Sequence, residues 1–576
     1  MTILHIAAVC AAAFSAAAFA GAPVELQNAG FEQGDQKGNA AGWSRHPNWR
    51  AERGAGHNGS GGLVYECLTP EAAAQGGRPG QLVKLEAGKR YYFSALAKAE
   101  ELVTERKTSA QGITIYMEGY NASNKWVFGA TAEPCVSGKS RDWVKIEGLT
   151  REIPEGVAHA YIQPYVPGRG VGRAVIDNVY LCVYDVAPVE GVYSTAYRHE
   201  SAGGEVRFSA SINTGRANRL AEYSAVFSYM AADGRRVSVP GKIVSNGEAS
   251  VTLDTSRFAA GTNDVVCTLS LNGKALGSAA APFARLNKPT PRKVYIDEHL
   301  RTIVDGKPFF PLGMYYNRVT ESNLAVYAEG PFNCLMPYGR PTTEEMDLCH
   351  KKGFKVIYNL QGAFNEPDAG EKWVRTTVPQ FQNHPALLAW YTNDEHPLTD
   401  VPKLTARQLW VEELDSQHPT WSVQDVFSEV RHYLATYDVL GMDPYPIPSK
   451  PIETVISSMR QGNAGTFGTR AVWQVPQAFG WGWLKRRETK GQRPPTQAEM
   501  ANMTWQSIAG GANGIVYYAF HHLSEPHDDP ADAFEPAWAR TKAAAAEVKK
   551  YEQVLLSAEK PVSVTGATDA IAVRAW

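Results

Sequence analysis

The stretch HPALLAWYTNDEHP (384–397) decides how the second half of this chain folds. Its apolar run, Leu387 to Tyr391, ends abruptly in Thr-Asn-Asp-Glu. A strand buried on both faces reads as a continuous apolar run, as in a parallel sheet covered by helices. A polar tip on such a strand is costly inside a core but useful at the open end of a barrel. Strict alternation would give Tyr391, Asn393 and Glu395 one face, with Trp390, Thr392 and Asp394 on the other.

Seven further runs share this character: FPLGMYYN (310–317), FNCLMPYG (332–339), KVIYNLQG (355–362), TWSVQDV (420–426), DVLGMDPYP (438–446), AVWQVPQAFG (471–480) and GIVYYAF (514–520). Between them lie helix-like segments such as TTEEMDLCHKKG, KLTARQLWVEELDSQ and TQAEMANMTWQSIAGG. Thr followed by Glu within a turn marks several helix starts, and Gly marks ends. Eight βα repeats over 293–557 predict a (β/α)8 TIM barrel. No Gly-rich dinucleotide loop follows any of the strands, which disfavours an open doubly wound sheet.

Upstream the periodicity is different. From 21 to 186 short β-like runs (RYYFSALAK, GITIYMEGY, AHAYIQPYV, AVIDNVYLCVYD) alternate with Gly-rich turns, predicting a β jelly roll. Residues 187–287 (EVRFSASINT, EYSAVFSYMA, DVVCTLSLNG) predict an immunoglobulin-like β sandwich. Lys288 to Arg292, KPTPR, reads as a stiff linker. Residues 1–20 read as a signal peptide closing on Ala18-Phe19-Ala20, which predicts a secreted or periplasmic protein without an integral membrane segment in the mature chain. Residues 558–576 read as a β tail, the start of a further, truncated domain or a strand packed on the barrel.

Composition narrows the function classes. A net charge of −2 argues against a nucleic-acid or anionic-membrane surface, both of which need a basic excess. The 14 Trp and 26 Tyr suit either sugar platforms or large β cores. Cysteines 67, 135, 182, 267, 334 and 349 follow neither a small disulfide framework nor a zinc pattern. His521-His522 brings no third ligand at suggestive spacing, so no metal and no cofactor is expected.

The barrel half resembles the superfamily of glycoside hydrolases with a (β/α)8 barrel and a glutamate acid/base on strand four. IVDGKPFFPLGMYYN resembles the first strand of those enzymes, and AWYTNDEHP a variant with Asp-Glu where the main group has Asn-Glu. DVLGMDPYPI, VWQVPQAFGW and PTQAEMANMTWQSIAGGANGIVYYAF carry the resemblance through strands six to eight. VELQNAGFEQGD, GAGHNGSGGLVYE and AVIDNVYLCVYD resemble carbohydrate-binding jelly rolls, with Trp43 and Trp49 as candidate sugar platforms. The resemblance implies a glycoside hydrolase acting on a polysaccharide or oligosaccharide. The alternative is a non-catalytic glycan-binding protein on a degenerate barrel.

On that reading Glu395 is the general acid/base, and Asn365-Glu366-Pro367 is a decoy in the loop after strand three. Strand seven offers Gln474 and Gln477 where the main group has its nucleophile, and an amide cannot form the glycosyl ester. Retaining cleavage needs a second carboxylate about 5 Å away, and inversion one at roughly 6.5–9.5 Å. Three carboxylates remain open: Asp443 as nucleophile or base, Asp394 in a substrate-assisted route, or a loop residue such as Glu488. An acid at position 395 must keep its proton, which calls for a neighbouring negative charge or for desolvation, by rings such as Trp390, Tyr391, Tyr445, Trp473, Trp481, Trp483, Tyr517 and Tyr518. Tyr315, Asn317, Gln361, Asn393, His396, Tyr445, Gln474, Gln477, Trp481 and Tyr518 are the expected sugar contacts. The oligomeric state is unknown from sequence.

Overall fold

The computed structural model describes residues 21–74, 77–104, 111–167, 170–215, 217–364, 367–484, 491–523 and 533–559. The expected signal peptide, Glu366, Glu488 and nearly all of the expected tail lie outside them. No helix among the described residues is long and apolar enough to cross a membrane. The chain divides into two compact units at Val186/Ala187.

The first unit is two antiparallel sheets. One runs in the order 49–52, 62–67, 171–184, 90–103, 144–149, and the other 81–83, 159–165, 114–120, 126–131. Alternate residues of both sheets, among them Phe93, Ile115, Met117, Ile162 and Ile176, fill the space between. The motifs at the two ends of this unit hold its loops: Asp177 accepts from His57 N and Ser60 Oγ at 2.8 Å each, and Glu32 accepts from Gly61 N. The candidate platforms fail here. Trp43 and Trp49 are only 6% and 7% exposed. Their indole N–H groups donate to Gln27 O and Gly77 O, because a buried indole must satisfy its donor.

In the second unit, eight strands form one sheet that folds over its own core of Phe208, Phe227, Val265 and Phe283. The strand Arg236–Ile243 pairs on both sides and joins the two faces. The barrel follows: β1 Leu312–Tyr316, β2 Cys334–Pro337, β3 Lys355–Asn359, β4 Leu387–Asp394, β5 Thr420–Gln424, β6 Val439–Met442, β7 Ala471–Gln474 and β8 Gly514–Tyr517. All neighbours are parallel, and β1 pairs with β8 to close the ring. The predicted capping signals are used: Thr342/Glu345 and Thr496/Glu499 form capping boxes at the starts of helices Thr343–Lys351 and Gln497–Ala509. A three-stranded sheet of 294–296, 302–304 and 307–309 sends Val294, Ile296 and Val304 into the core shared with the barrel interior.

That interior is unusual in composition. Branched aliphatics dominate most such barrels, whereas here Tyr315, Tyr391, Trp421 and Trp473 fill the centre. Tyr315 and Trp421 lie 5.7 Å apart between ring centroids, Tyr391 and Trp421 5.1 Å. The six described cysteines are free thiols, five of them buried.

The folded sheet is bolted to the barrel by Arg198. Its guanidinium donates to Asp438 Oδ2 at 3.0 Å and to the carbonyls of Asp415 and His418 at 2.8 Å each. Both side chains of the pair are 7% exposed. Asp438 also accepts from Thr420 N, so one carboxylate ties β5 to the 3-10 turn Tyr197–His199 of the folded sheet. Removing one partner of such a pair strands a buried charge, at a cost of about 3–5 kcal/mol. Arg198→Ala should therefore lower the unfolding free energy of this unit by that amount in a denaturant titration, and adding Asp438→Ala should recover part of the loss.

Candidate functional site

The site is built on the end of β4, and a bulge sets its geometry. Tyr391 pairs with Trp421 and Asn393 with Ser422, so Thr392 is left over as an extra residue. Its carbonyl accepts from Nη1 of Arg407, a buried arginine on the helix Val401–Leu414 that also binds Gly362 O. The insertion shifts the alternation by one. Tyr391 stays in the barrel interior, Asp394 joins it there, and Asn393 turns the other way to donate to Ser422 Oγ at 2.9 Å. The face assignment expected from strict alternation is thus corrected beyond Tyr391.

Three carboxyls meet at the mouth. Glu395 leaves the strand at φ 52°, in the left-handed region that a glutamate seldom occupies. Its backbone N–H donates to Val423 O at 3.0 Å. Its side chain hydrogen-bonds the carboxyl of Asp443, just past β6. Asp443 is 7% exposed, and its Oδ1 has no hydrogen-bond partner. Burial, then the hydrogen bond and the charge of Glu395, push Asp443 well above the ordinary carboxylate range. Asp394 is likewise raised to about 6, chiefly by burial and against hydrogen bonds from Tyr391, Tyr338 and Gln361. The Tyr338 hydroxyl donates to Asp394 Oδ2 at 3.3 Å.

Glu395 itself is exposed. The desolvation expected at 395 is found at Asp443 instead. Glu395 stands at the rim because the bulge and left-handed turn carry it past the ring of strands.

Tyrosines connect these groups. Tyr315 Oη lies 3.0 Å from Tyr391 Oη, Tyr338 hydrogen-bonds Tyr518, and Tyr518 Oη lies 3.3 Å from His522 Nε2. Tyr445 packs against Tyr518, Phe479 and Trp481 at 5.6, 5.1 and 6.2 Å. Of the expected sugar contacts, Tyr315, Gln361, Tyr445, Trp481 and Tyr518 come together around the carboxyls. Asn317 is exposed at the end of β1, where its carbonyl accepts from Gly339 N. His396 faces Asp400 at 2.9 Å and packs on Phe364.

Three expectations fail outright. Asn393, as described, faces Ser422. Gln474 is fully buried on the outer face of β7, donating to Ser458 Oγ on the helix Thr454–Thr466, because Trp473 and Val475 take the interior positions. Gln477 spends its amide on Ile447 O, Phe479 O and Ile447 N, clamping two loops. Trp390 and Tyr517, expected as desolvating rings, also point outward, to Asp415 and Thr504.

Sequence reasoning missed Tyr338 and Asp425. Tyr338 immediately follows β2, and Asp425, exposed just past β5, adds its charge to that felt by Asp443. Both stand at the strand-end level that singled out Glu395 and Asp443, a signal available in FNCLMPYG and TWSVQDV. Among the described residues no group of three or more His, Cys, Asp or Glu is arranged to hold a metal ion.

A carboxyl that binds its proton more tightly when folded costs stability as pH rises. For Asp443 the folded state takes up protons that the unfolded chain, with an ordinary aspartate near 3.9, does not. The penalty is absent below pH 4 and grows above it. Asp443→Asn should raise the thermal midpoint at pH 7.5 by about 2–4 °C, roughly 1 kcal/mol, with the gain vanishing toward pH 4 in a calorimetric series.

No protein-family model and no curated protein matches this chain. Solved structures that overlay on it include a β-glucuronidase from an uncultured Clostridium (11% identity, 84% of this chain and 88% of that one, TM-score 0.35). A β-galacturonidase from Eisenbergiella tayi overlays at 11% identity, 87% and 96% coverage and TM-score 0.34. A glycosyl hydrolase family 2 member from Bacteroides cellulosilyticus does so at 12% identity, 94% and 70% coverage and TM-score 0.33. At these scores the likenesses carry no weight in assigning chemistry to this chain.

Proposed function

We propose that this chain is a glycoside hydrolase in which Glu395 and Asp443 share a proton and Asp394 supplies the second, ionised carboxylate. What supports this reading is the hydrogen-bonding approach of the Glu395 and Asp443 side chains at the C-terminal mouth of the barrel, together with the burial of Asp443. Such a bond requires one proton between the two groups, because two ionised carboxylates repel and neither can donate. Burial and then neighbouring Glu395 keep the proton on Asp443 where a lone aspartate would have lost it.

Glu395, the exposed member, presents that proton to the glycosidic oxygen as the C1–O bond breaks. Positive charge develops on the sugar ring, and on this reading Asp394 stabilises it and takes a proton from the incoming water, or bonds C1 directly. Contact between Glu395 and Asp443 leaves no space for a sugar carbon, so Asp443 acts through Glu395 and the opposing role falls to Asp394. Tyr445, Trp481 and Tyr518 offer apolar ring faces for the sugar, and Gln361 a neutral amide for its hydroxyls. Export of the protein is proposed on the Ala-rich leader alone.

The sign of the pH dependence follows. Asp394 must be ionised, so activity should rise through about pH 6 and fall again where the Glu395–Asp443 pair loses its proton. Against a panel of aryl glycosides and oligosaccharides, Glu395→Gln should cut kcat by about 10²–10⁴-fold with bound-sugar affinity retained. Asp394→Asn should remove the limb near pH 6. A wild type that hydrolyses nothing across the panel yet binds glycan in the barrel would favour the non-catalytic alternative.

A further inference from the structure

The carboxyls lie past β4 and β6, whereas past β1 and β2 the barrel mouth is basic. Arg340, exposed three residues beyond β2, leaves that strand at φ 50°, in the left-handed region that Glu395 also occupies past β4. Its guanidinium stacks on Trp373, 4.7 Å from the ring centroid, beside Gly362 in the loop after β3. A Cβ at Gly362 would meet Arg340 Nη2 at 3.0 Å and Trp373 Nε1 at 3.1 Å, so a glycine makes room for both.

Both stretches that hold this guanidinium also reach Asp394. Tyr338, two residues before Arg340, donates to Asp394 at 3.3 Å, and Gln361, one before Gly362, hydrogen-bonds it. Asn359 fastens the two stretches together: its Nδ2 donates to Tyr338 O at 3.2 Å and its Oδ1 accepts from Gln361 N at 3.0 Å. Two residues of chain span at most about 7 Å, which keeps Arg340 close to the Tyr338 backbone.

Among the described residues no carboxylate neutralises Arg340. Glu344 and Glu345, next along the chain, hydrogen-bond Thr342 at the start of the helix Thr343–Lys351 instead. Behind it Arg407, 2% exposed, spends two nitrogens on the carbonyls of Thr392 and Gly362, and its Nε has no partner. Burial and then the charge of Arg340 push Arg407 down to about 10, as expected of two cations with no anion between them. Arg318, exposed two residues past β1, lays its stem along Gly339, where a Cβ would lie 3.6 Å from Arg318 Cγ. A guanidinium fork matches a carboxylate or a sulfate in shape and charge, and binds either more strongly than a neutral hydroxyl. An anion held on this side is also kept away from Asp394 and Glu395, which would repel it.

We propose that Arg340, with Arg318 beside the preceding glycine, binds an anionic substituent of the glycan, a carboxylate or a sulfate ester, and so selects acidic chains; this rests on the reading of the mouth as a glycoside hydrolase site.

The test uses the full chain carrying Glu395→Gln, so that no probe is consumed. Hexasaccharides of galacturonate, glucuronate and sulfated galactose are titrated into it calorimetrically, with neutral galactose and glucose chains as their counterparts. At least one acidic chain should bind about tenfold or more tightly than its neutral counterpart. Its affinity should fall between about 50 and 500 mM salt, and uronate against sulfate ester identifies the anion. Arg340→Gln, at an exposed side chain, should weaken that binding about tenfold or more and flatten the salt dependence, with neutral chains unaffected. Arg340→Lys, which keeps the charge but not the fork, should recover part of the loss. No binding of any acidic chain, equal affinity for acidic and neutral chains, or acidic binding unchanged by Arg340→Gln would overturn the proposal. Turnover by the unmutated chain separates the two readings. Cleavage of neutral chains alone would keep the hydrolase and overturn the acidic preference, whereas acidic chains bound through Arg340 but never cleaved would do the reverse.

Discussion

Two carboxyl groups in close contact repel when both are ionised, and at the barrel mouth the side chain of Glu395 raises the pKa of buried Asp443 in this way. Asp443 is sealed beneath the rim, where an ionised carboxylate would lose its hydration. The nearest charges it feels are negative: Glu395, Asp394 and Asp425. Holding a proton is the lower-energy choice. The chemistry available to this site depends on that proton being present at a pH where free aspartate has none.

The scaffold imposes this through a small number of local departures from regularity. An extra residue at Thr392, held by Arg407 from behind, rotates the end of β4 so that Asp394 enters the barrel with Tyr391. The left-handed turn at Glu395 then throws the next side chain up to the rim. Backbone strain at one glutamate is sustained because neighbouring contacts over-determine it. The aromatic filling of the barrel serves the same end. Tyr315, Tyr391, Tyr338 and Tyr518 exclude water as rings do, yet carry hydroxyls that bond Asp394 and one another.

Much of this was legible in the sequence. Apolar runs with polar tips located all eight strands, and Thr-x-x-Glu located two helix starts to the residue. Strand counting put Glu395 and Asp394 at the end of strand four and Asp443 at the end of strand six, but not which way each side chain looks. What failed did so for one physical reason: period-two alternation holds only while a strand stays regular. One unpaired residue reversed the outlook of Asn393 and Asp394. Gln474 was misplaced because a strand end looks polar whether its side chain enters the pocket or bonds a helix behind it. Trp43 and Trp49 show the same ambiguity for rings, since burial of an indole is a property of packing that composition does not reveal.

The asymmetry of the carboxyl pair gives the proton a direction. Asp443 is the member that burial forces to be neutral, and Glu395 is the member that reaches solvent and any ligand. On the proposed reading a proton reaches a ligand through Glu395 at the cost of ionising buried Asp443, so the transfer is favourable only as the leaving oxygen takes the proton in the same step. The buried carboxyl, on that reading, stores the proton, and the exposed one, left hydrated, is the one that meets a substrate.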